Sequence, residues 1–292
     1  MTSLIVRQNK FRVYVSMAIL TFLLGLLGTF LSSCFHWGLT GTGVFLILAG
    51  IINFVAYFFS DRLILRASGC QRLQRAQIPE LFQMVEALCR ESQLPMPALY
   101  IIKDDAMNAF ATGRDEHHAA LAVTRGLVEK LTPDEVKAVV AHELSHIKHY
   151  DMRLMAVVSI LAGCISILAD MYWRGNVTSQ LEQRDRSGVL AWIGAILSAL
   201  APLTAMFIQL AISRRRELLA DAEGAEMVHS PTGLMSALKK IHMDRRPLLR
   251  MNTATAHLYF SHPSTGLIDK LFSTHPSLEE RISSLSRFVS QP

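Results

Sequence analysis

The sequence predicts a mainly α-helical membrane protein, with up to four transmembrane helices carrying an α+β domain on the cytoplasmic side. Three observations lead there. The chain of 292 residues is 51% hydrophobic and only 18% charged, against about 25% charged in an average soluble protein, and its mean hydropathy is +0.29. The apolar residues are gathered into four long runs. The basic residues flank those runs instead of forming a tail, so the net charge of +5 points to membrane orientation and away from nucleic acid.

The first run extends from Val13 to Cys34 and the second from Gly38 to Phe59, 22 residues each. At 1.5 Å per residue such a helix is roughly 33 Å long and spans a hydrocarbon core. A cleaved leader is the alternative for the first run, but its length, the missing A-x-A site and the second run close behind argue against it. The third run, Leu154 to Trp173, and the fourth, Val189 to Ile212, are less clean: Asp170, Pro202 and Gln209 interrupt them. A hairpin that only partly crosses is the alternative there. Arg7, Lys10 and Arg12 precede the first run, Arg62, Arg66, Arg72 and Arg75 follow the second, and the turn at His36–Trp37 carries no cation. By the positive-inside rule both ends of this hairpin are cytoplasmic. Lys148 and Arg153 before the third run and Arg214, Arg215 and Arg216 after the fourth orient that pair alike. Cys34, Cys70, Cys89 and Cys164 show no CxxC spacing and read as small apolar residues.

The chain therefore divides into an N-terminal hairpin (1–59), a polar region (60–153), a second apolar hairpin (154–212) and a closing polar region (213–292). The first polar region opens with a helical pattern from Pro79 to Ser92. Three short strands are expected at Ala98–Lys103, Asn108–Thr112 and Ala119–Thr124. Thr132-Pro133-Asp134-Glu135 is a helix start: Thr132 caps, Pro133 suits the first turn and Glu135 completes a capping box. The helix it opens runs to about Tyr150.

That helix carries His142-Glu143-Leu144-Ser145-His146. Side chains at i and i+4 share a face, so both imidazoles can reach one zinc ion, with Glu143 about 100° around the helix as a general base. Zinc lowers the pKa of a ligated water to about 7, within reach of a carboxylate. This points to a zinc-dependent protease. A catalytic zinc needs a third protein ligand. His149 is at the wrong spacing and reads as a surface or interface histidine. Glu217 and Asp221, again i and i+4, could supply one ligand and one acceptor for an imidazole N–H. From spacing alone, a solvated helix start with ordinary salt bridges is an equal reading. If Glu217 is a ligand, the third and fourth runs must both cross the bilayer or both fail to cross, because a single crossing would part it from His146 by about 30 Å.

HELSH, followed after an apolar hairpin by SRRRELLAD, resembles the HtpX-type membrane zinc metalloproteases, relatives of the CAAX prenyl-protein zinc proteases. NAFATG and THPSLEERI extend the resemblance over nearly the whole chain. It implies a gluzincin-like α+β zinc protease domain with one Zn2+ per chain. It further implies residence in the bacterial inner membrane and a role in membrane protein quality control, with membrane proteins or unfolded polypeptides as substrates. Residue by residue it implies His142, His146 and Glu217 as metal ligands, Asp221 as their support and Glu143 as the catalytic base. Asn108 and Ala109, on an edge strand, would hold the substrate backbone; read without the resemblance, Asn108 is a turn residue before a strand. His275 would help stabilise the oxyanion or bind substrate, preferred over His262 because Arg281-Ile282 follows it at the family's distance. Both His-Pro pairs also read as turns or helix starts. A non-catalytic zinc sensor or scaffold and a dedicated processing protease for one anchored substrate are the competing functions. A transporter is disfavoured, since intramembrane charge is essentially Asp170 alone.

Overall fold

A computed structural model describes residues 2–164, 214–244, 246, 258–260 and 276–289. The fourth apolar run, the end of the third, His262 and His275 lie outside these residues. The elements are α1 (Thr2–Phe35), α2 (Gly38–Ala67), β1 (Gln71–Arg72), α3 (Pro79–Glu91), β2 (Ala98–Ile102), β3 (Ala109–Gly113), β4 (Ala119–Thr124), α4 (Arg125–Lys130) and α5 (Pro133–Lys148). They are followed by α6 (151–164, where the described stretch stops), α7 (Arg214–Met227), α8 (Thr232–Met243) and α9 (Leu278–Val289).

α1 and α2 form an antiparallel hairpin, and both are long and apolar enough to cross a membrane, over Leu4–Phe30 and Gly38–Ala67. Small and polar residues let them approach. A Cβ at Gly28 would collide with Phe45, and one at Gly41 with the Ser32 hydroxyl. The Asn53 amide donates to the Met17 carbonyl (3.1 Å) and to Thr21 Oγ1 (2.8 Å). Leu39, Ile47, Ile51, Phe54 and Phe58 point outward from the pair, as lipid-facing side chains do. α1 reaches back well before Val13, where the apolar run begins. The reason is tertiary: Asn9 and Val13 are buried against the rest of the protein.

The sheet has the order β1-β2-β4-β3. β2 and β4 are parallel, with Leu99 opposite Leu121, while β3 runs antiparallel to β4, with Phe110 opposite Ala122. Strand alternation divides the side chains between two cores. Ala119, Leu121 and Val123 of β4, with Ala109 and Ala111 of β3, join the core of α3, α5, α7 and α8. Ala120, Ala122 and Phe110 face the other way, into a core with α6, the base of the α1–α2 hairpin and Tyr259. The sheet is thus the layer between the membrane hairpin and the helices that carry the site. The three strands read from sequence are present within a residue or two. β1 and α4 are additional: β1 is only two residues long, and α4 is a six-residue helix capped by Thr124, whose hydroxyl accepts from the Leu127 N–H.

α5 has the full capping box, with the Thr132 N–H donating to Glu135 (2.8 Å) and the Glu135 N–H to Thr132 (3.4 Å). It ends at Lys148, short of Tyr150. Tyr150 adopts φ of 61°, a left-handed residue that breaks the helix, and α6 restarts at once from Asp151. Among the described cysteines Cys70, Cys89 and Cys164 are free.

Candidate active site

α5 presents His142, Glu143 and His146 toward α7, which crosses it at close range. The crossing is made possible by Gly224: a Cβ there would lie 2.9 Å from the His142 backbone nitrogen and 3.1 Å from its Cα. Glu217, Asp221 and Gly224 follow an i, i+4, i+7 stripe, so the residue that lets the helices touch also turns both carboxylates toward the imidazoles. The structure brings Glu217 to the two histidines. His142 Nε2 is 3.2 Å from His146 Nε2, and the Glu217 carboxylate oxygens lie 3.8 Å and 3.6 Å from those two nitrogens. Bonds of about 2.0–2.1 Å to a tetrahedral ion place its ligand atoms about 3.4 Å apart. The three donors match that spacing, and they are the group among the described residues able to hold a metal ion.

A carboxylate stands behind each imidazole. Asp221 Oδ1 is 3.0 Å from His142 Nδ1, oblique to the ring N–H, and Asp151 Oδ2 is 3.1 Å from His146 Nδ1. Such partners fix the tautomer so that Nε2 carries the lone pair. Arg281 anchors Asp221 through a two-pronged contact, Nε to Oδ2 at 2.8 Å and Nη2 to Oδ1 at 2.5 Å. The start of α9 delivers it: Ser277 and Glu280 form a second capping box (3.0 and 3.1 Å). The Phe260 ring closes this side, edge-on to His142 at 4.9 Å and 4.7 Å beneath the Arg281 guanidinium.

Burial dominates the electrostatics. It drives the His142 pKa down to about 4 against the pull of Asp221, so this imidazole is neutral, as a ligand must be. Burial also lowers that of His146, but Asp151 and Glu217 outweigh it and hold the group at about 9. Loading a metal there releases a proton. Glu143 is pushed up to about 7, chiefly by burial, with the Glu217 charge adding to it and His146 and the Ala111 N–H opposing. A carboxyl near neutrality is suited to giving and taking a proton at physiological pH.

β3 is the edge of the sheet and lies beside α5. Asn108 directs its backbone inward: its carbonyl accepts from the Thr124 N–H and its N–H donates to the Thr124 hydroxyl, both at 2.9 Å. Ala109 therefore faces outward, and both of its polar groups are engaged by the chain itself. Its N–H donates to Asn108 Oδ1 (3.0 Å), and its carbonyl accepts from the Phe260 N–H (2.9 Å). His149 is buried at the α5–α7 interface, with Nε2 3.2 Å from Glu223, the interface placement of the two its spacing allows. Asp151 and Phe260 carry no sequence signal as site residues, and Arg281 stands out only as part of the motif that sets His275 apart from His262. Asp151 follows His146 by five positions, and only the break at Tyr150 folds it back onto that ring.

Two imidazoles and a carboxylate converging beside a buried glutamate define the class: a metallopeptidase. The comparisons with known proteins agree. Residues 75–289 match peptidase family M48. The chain is 39% identical over 284 residues to the Protease HtpX homolog of Thermoanaerobacter pseudethanolicus, covering 95% of each. To the Protease HtpX homolog of Tropheryma whipplei it is 43% identical over 247 residues, covering 84% of this chain and 85% of that one. Ste24p of S. mikatae, a solved structure, shares the fold: TM-score 0.51 at 18% identity, over 96% of this chain and 66% of that one. The chain belongs to peptidase family M48. It is a peptide-bond hydrolase that depends on a metal ion, built on a chain with two helices able to cross a membrane.

Proposed function

We propose that this protein is a membrane-embedded zinc endopeptidase that cleaves membrane-anchored or unfolded polypeptides. The observation that carries the reading is the convergence of Glu217 on His142 and His146, from an α7 more than seventy positions downstream. Two nitrogens and one carboxylate oxygen at tetrahedral spacing suit zinc. Zinc bound there supplies Lewis acidity toward a water and a scissile carbonyl. Glu143 takes a proton from the attacking water and returns it to the leaving amine, which a carboxyl poised at about 7 can do in both directions. Asp221 and Asp151 hold the two imidazoles in register. β3 offers an edge to which an extended substrate adds by backbone hydrogen bonds, a mode tolerant of sequence. Since the outward groups of Ala109 are engaged by Asn108 and Phe260 and the Ala111 N–H by Glu143, the added strand displaces these contacts. His275 remains the choice for oxyanion stabilisation, on the strength of the sequence pattern alone. Cation placement supports a site on the cytoplasmic face of a bacterial inner membrane, with the third and fourth apolar runs entering the bilayer as a pair. Breakdown of damaged membrane proteins suits such a site.

The test uses the full chain purified in detergent with a chelator and then restored with zinc. Casein should be cleaved. Glu143→Ala should keep its zinc and lose activity by about 10²–10⁴-fold, the usual worth of a general base. Glu217→Ala should lose zinc. Wild-type cleavage by Glu143→Ala would overturn the mechanism, and full zinc content in Glu217→Ala would remove that residue from the site. The non-catalytic zinc sensor is the weaker reading, because a pure binding site has no use for a buried carboxyl at the Glu143 position.

A further inference from the structure

The first membrane helix reaches into the metal centre. Asn9, near the start of α1, is 2% exposed, and its side chain makes three long-range hydrogen bonds. Nδ2 donates to the His149 carbonyl (2.9 Å) and to Asp151 Oδ1 (2.5 Å). Oδ1 accepts from Arg216 Nη1 (3.0 Å). The other Asp151 oxygen is the one on His146 Nδ1, and Arg216, itself 2.9 Å from Asp151, immediately precedes Glu217. One amide therefore joins the end of the histidine helix, the carboxylate behind His146 and the first turn of the Glu217 helix.

The chemistry of the position selects an amide. The group must donate to a carboxylate on one side and accept from a guanidinium on the other. The same group also donates to the His149 carbonyl. A carboxylate cannot donate, an ammonium cannot accept, a neutral imidazole has a single N–H, and only Asn or Gln offers two donors and an acceptor from one planar group. Lys10 adds to the docking, its ammonium 4.8 Å from the Tyr150 ring centroid, and Val13 packs in the same core as Leu154 and Met155. Lipid anchorage requires none of these contacts.

We infer that Asn9 is a positioning residue of the metal centre: it holds the Asp151 carboxylate on His146 and the Arg216–Glu217 turn at the distance a shared metal needs. The membrane hairpin is thus part of the catalytic apparatus as well as its anchor. This rests on the metallopeptidase reading of His142, His146 and Glu217. The test loads the full-length protein with zinc in detergent and follows metal release to excess chelator with a chromogenic indicator. Removing a partner that orients a ligand typically costs about 10–100-fold in metal affinity. For Asn9→Ala, one bond further out, about tenfold faster release is expected. The visible absorption bands of the cobalt-loaded variant should shift as the His146 ring reorients. Asn9→Asp is isosteric and decides the matter if Asn9→Ala does not fold: it keeps the acceptor for Arg216, cannot donate to Asp151, and should also release metal faster. Asn53→Ala removes the hairpin's other buried amide, which has no link to the centre, and should release zinc at the wild-type rate. The inference is overturned if both Asn9 variants release metal like wild type, or if Asn53→Ala accelerates release as much as they do. A wild-type protein that binds no zinc and cleaves nothing would take down the peptidase reading and this inference together. Wild-type behaviour of the Asn9 variants beside an active parent refutes the inference alone.

Discussion

Gly224→Ala separates two opposing effects of one methyl group. In the interior of α7, alanine is about 1 kcal/mol more favourable than glycine, so local propensity predicts a more stable protein. The helix crossing predicts the reverse. The new Cβ would lie 2.9 Å and 3.1 Å from the backbone N and Cα of His142, whereas non-bonded carbons settle at about 3.5–4.0 Å. Both obstacles are backbone atoms in the middle of α5 and cannot rotate away, so α7 must retreat by about 0.5 Å. Glu217 sits two turns along the same stripe and moves with it. Metal sites tolerate ligand displacements of about 0.2 Å. Overpacking typically costs about 1–3 kcal/mol, which outweighs the propensity gain. We expect the metal-free protein to lose about 1 kcal/mol and metal binding to weaken about tenfold, equivalent to about 1.4 kcal/mol. Denaturant unfolding in detergent with chelator measures the first quantity, and competition with a metal indicator the second. A variant stabilised by about 1 kcal/mol with unchanged metal affinity would refute the close-crossing argument.

Three further outcomes follow from the same contacts. Arg281→Ala leaves the buried Asp221 carboxylate uncompensated beside His142 and should lower unfolding free energy by about 3–5 kcal/mol; Arg281→Lys should rescue little, because lysine lacks the two-pronged geometry. Phe260→Ala removes the ring between His142 and Arg281 and should cost about 3–5 kcal/mol, read as a lower denaturant midpoint. Glu135, buried in the α5 capping box, also accepts from Ser236 (2.6 Å) and Lys240 (2.8 Å). Burial raises its pKa, but the Lys240, Ser236 and Thr132 hydrogen bonds win, so the folded value lies below the ordinary 4.5. A depressed carboxyl contributes stability that is present above the unfolded pKa and lost as pH falls through the folded one. Glu135→Gln should therefore be about 1–3 kcal/mol less stable at pH 7, with the gap to wild type closing in unfolding curves recorded at progressively lower pH below 4.5.

Features governed by short spacing were legible in the sequence. The HELSH helix and its cap follow from an i, i+4 repeat and a four-residue start signal. AALAVT is a strand by residue type and length, and two uncharged stretches long enough for a bilayer give the N-terminal hairpin. Each is settled by neighbours within a turn or a few residues, so local physics suffices. Glu217 stood at the limit: spacing placed it with Asp221 on one helix face but equally allowed a solvated salt-bridge cluster, and only the crossing of α5 and α7 brings it to the histidines. Asp151, Phe260 and Asn9 lay beyond that limit, as did the contact of Arg281, a residue of the THPSLEERI motif, with Asp221. The acidic partner of His146 depends on a single left-handed residue, Tyr150, that ends one helix and starts the next. Asn9 meets His149 and Asp151 across more than 130 positions. Nothing in an amide near the start of an apolar helix marks that contact, because it exists only once the hairpin has packed against the sheet. The sequence by itself determined which residues could do the chemistry and that they belong to a membrane protein. The tertiary structure alone decided how far the two imidazoles and the Glu217 carboxylate stand apart, since that distance is set by helix crossings and buried hydrogen bonds between segments remote along the chain.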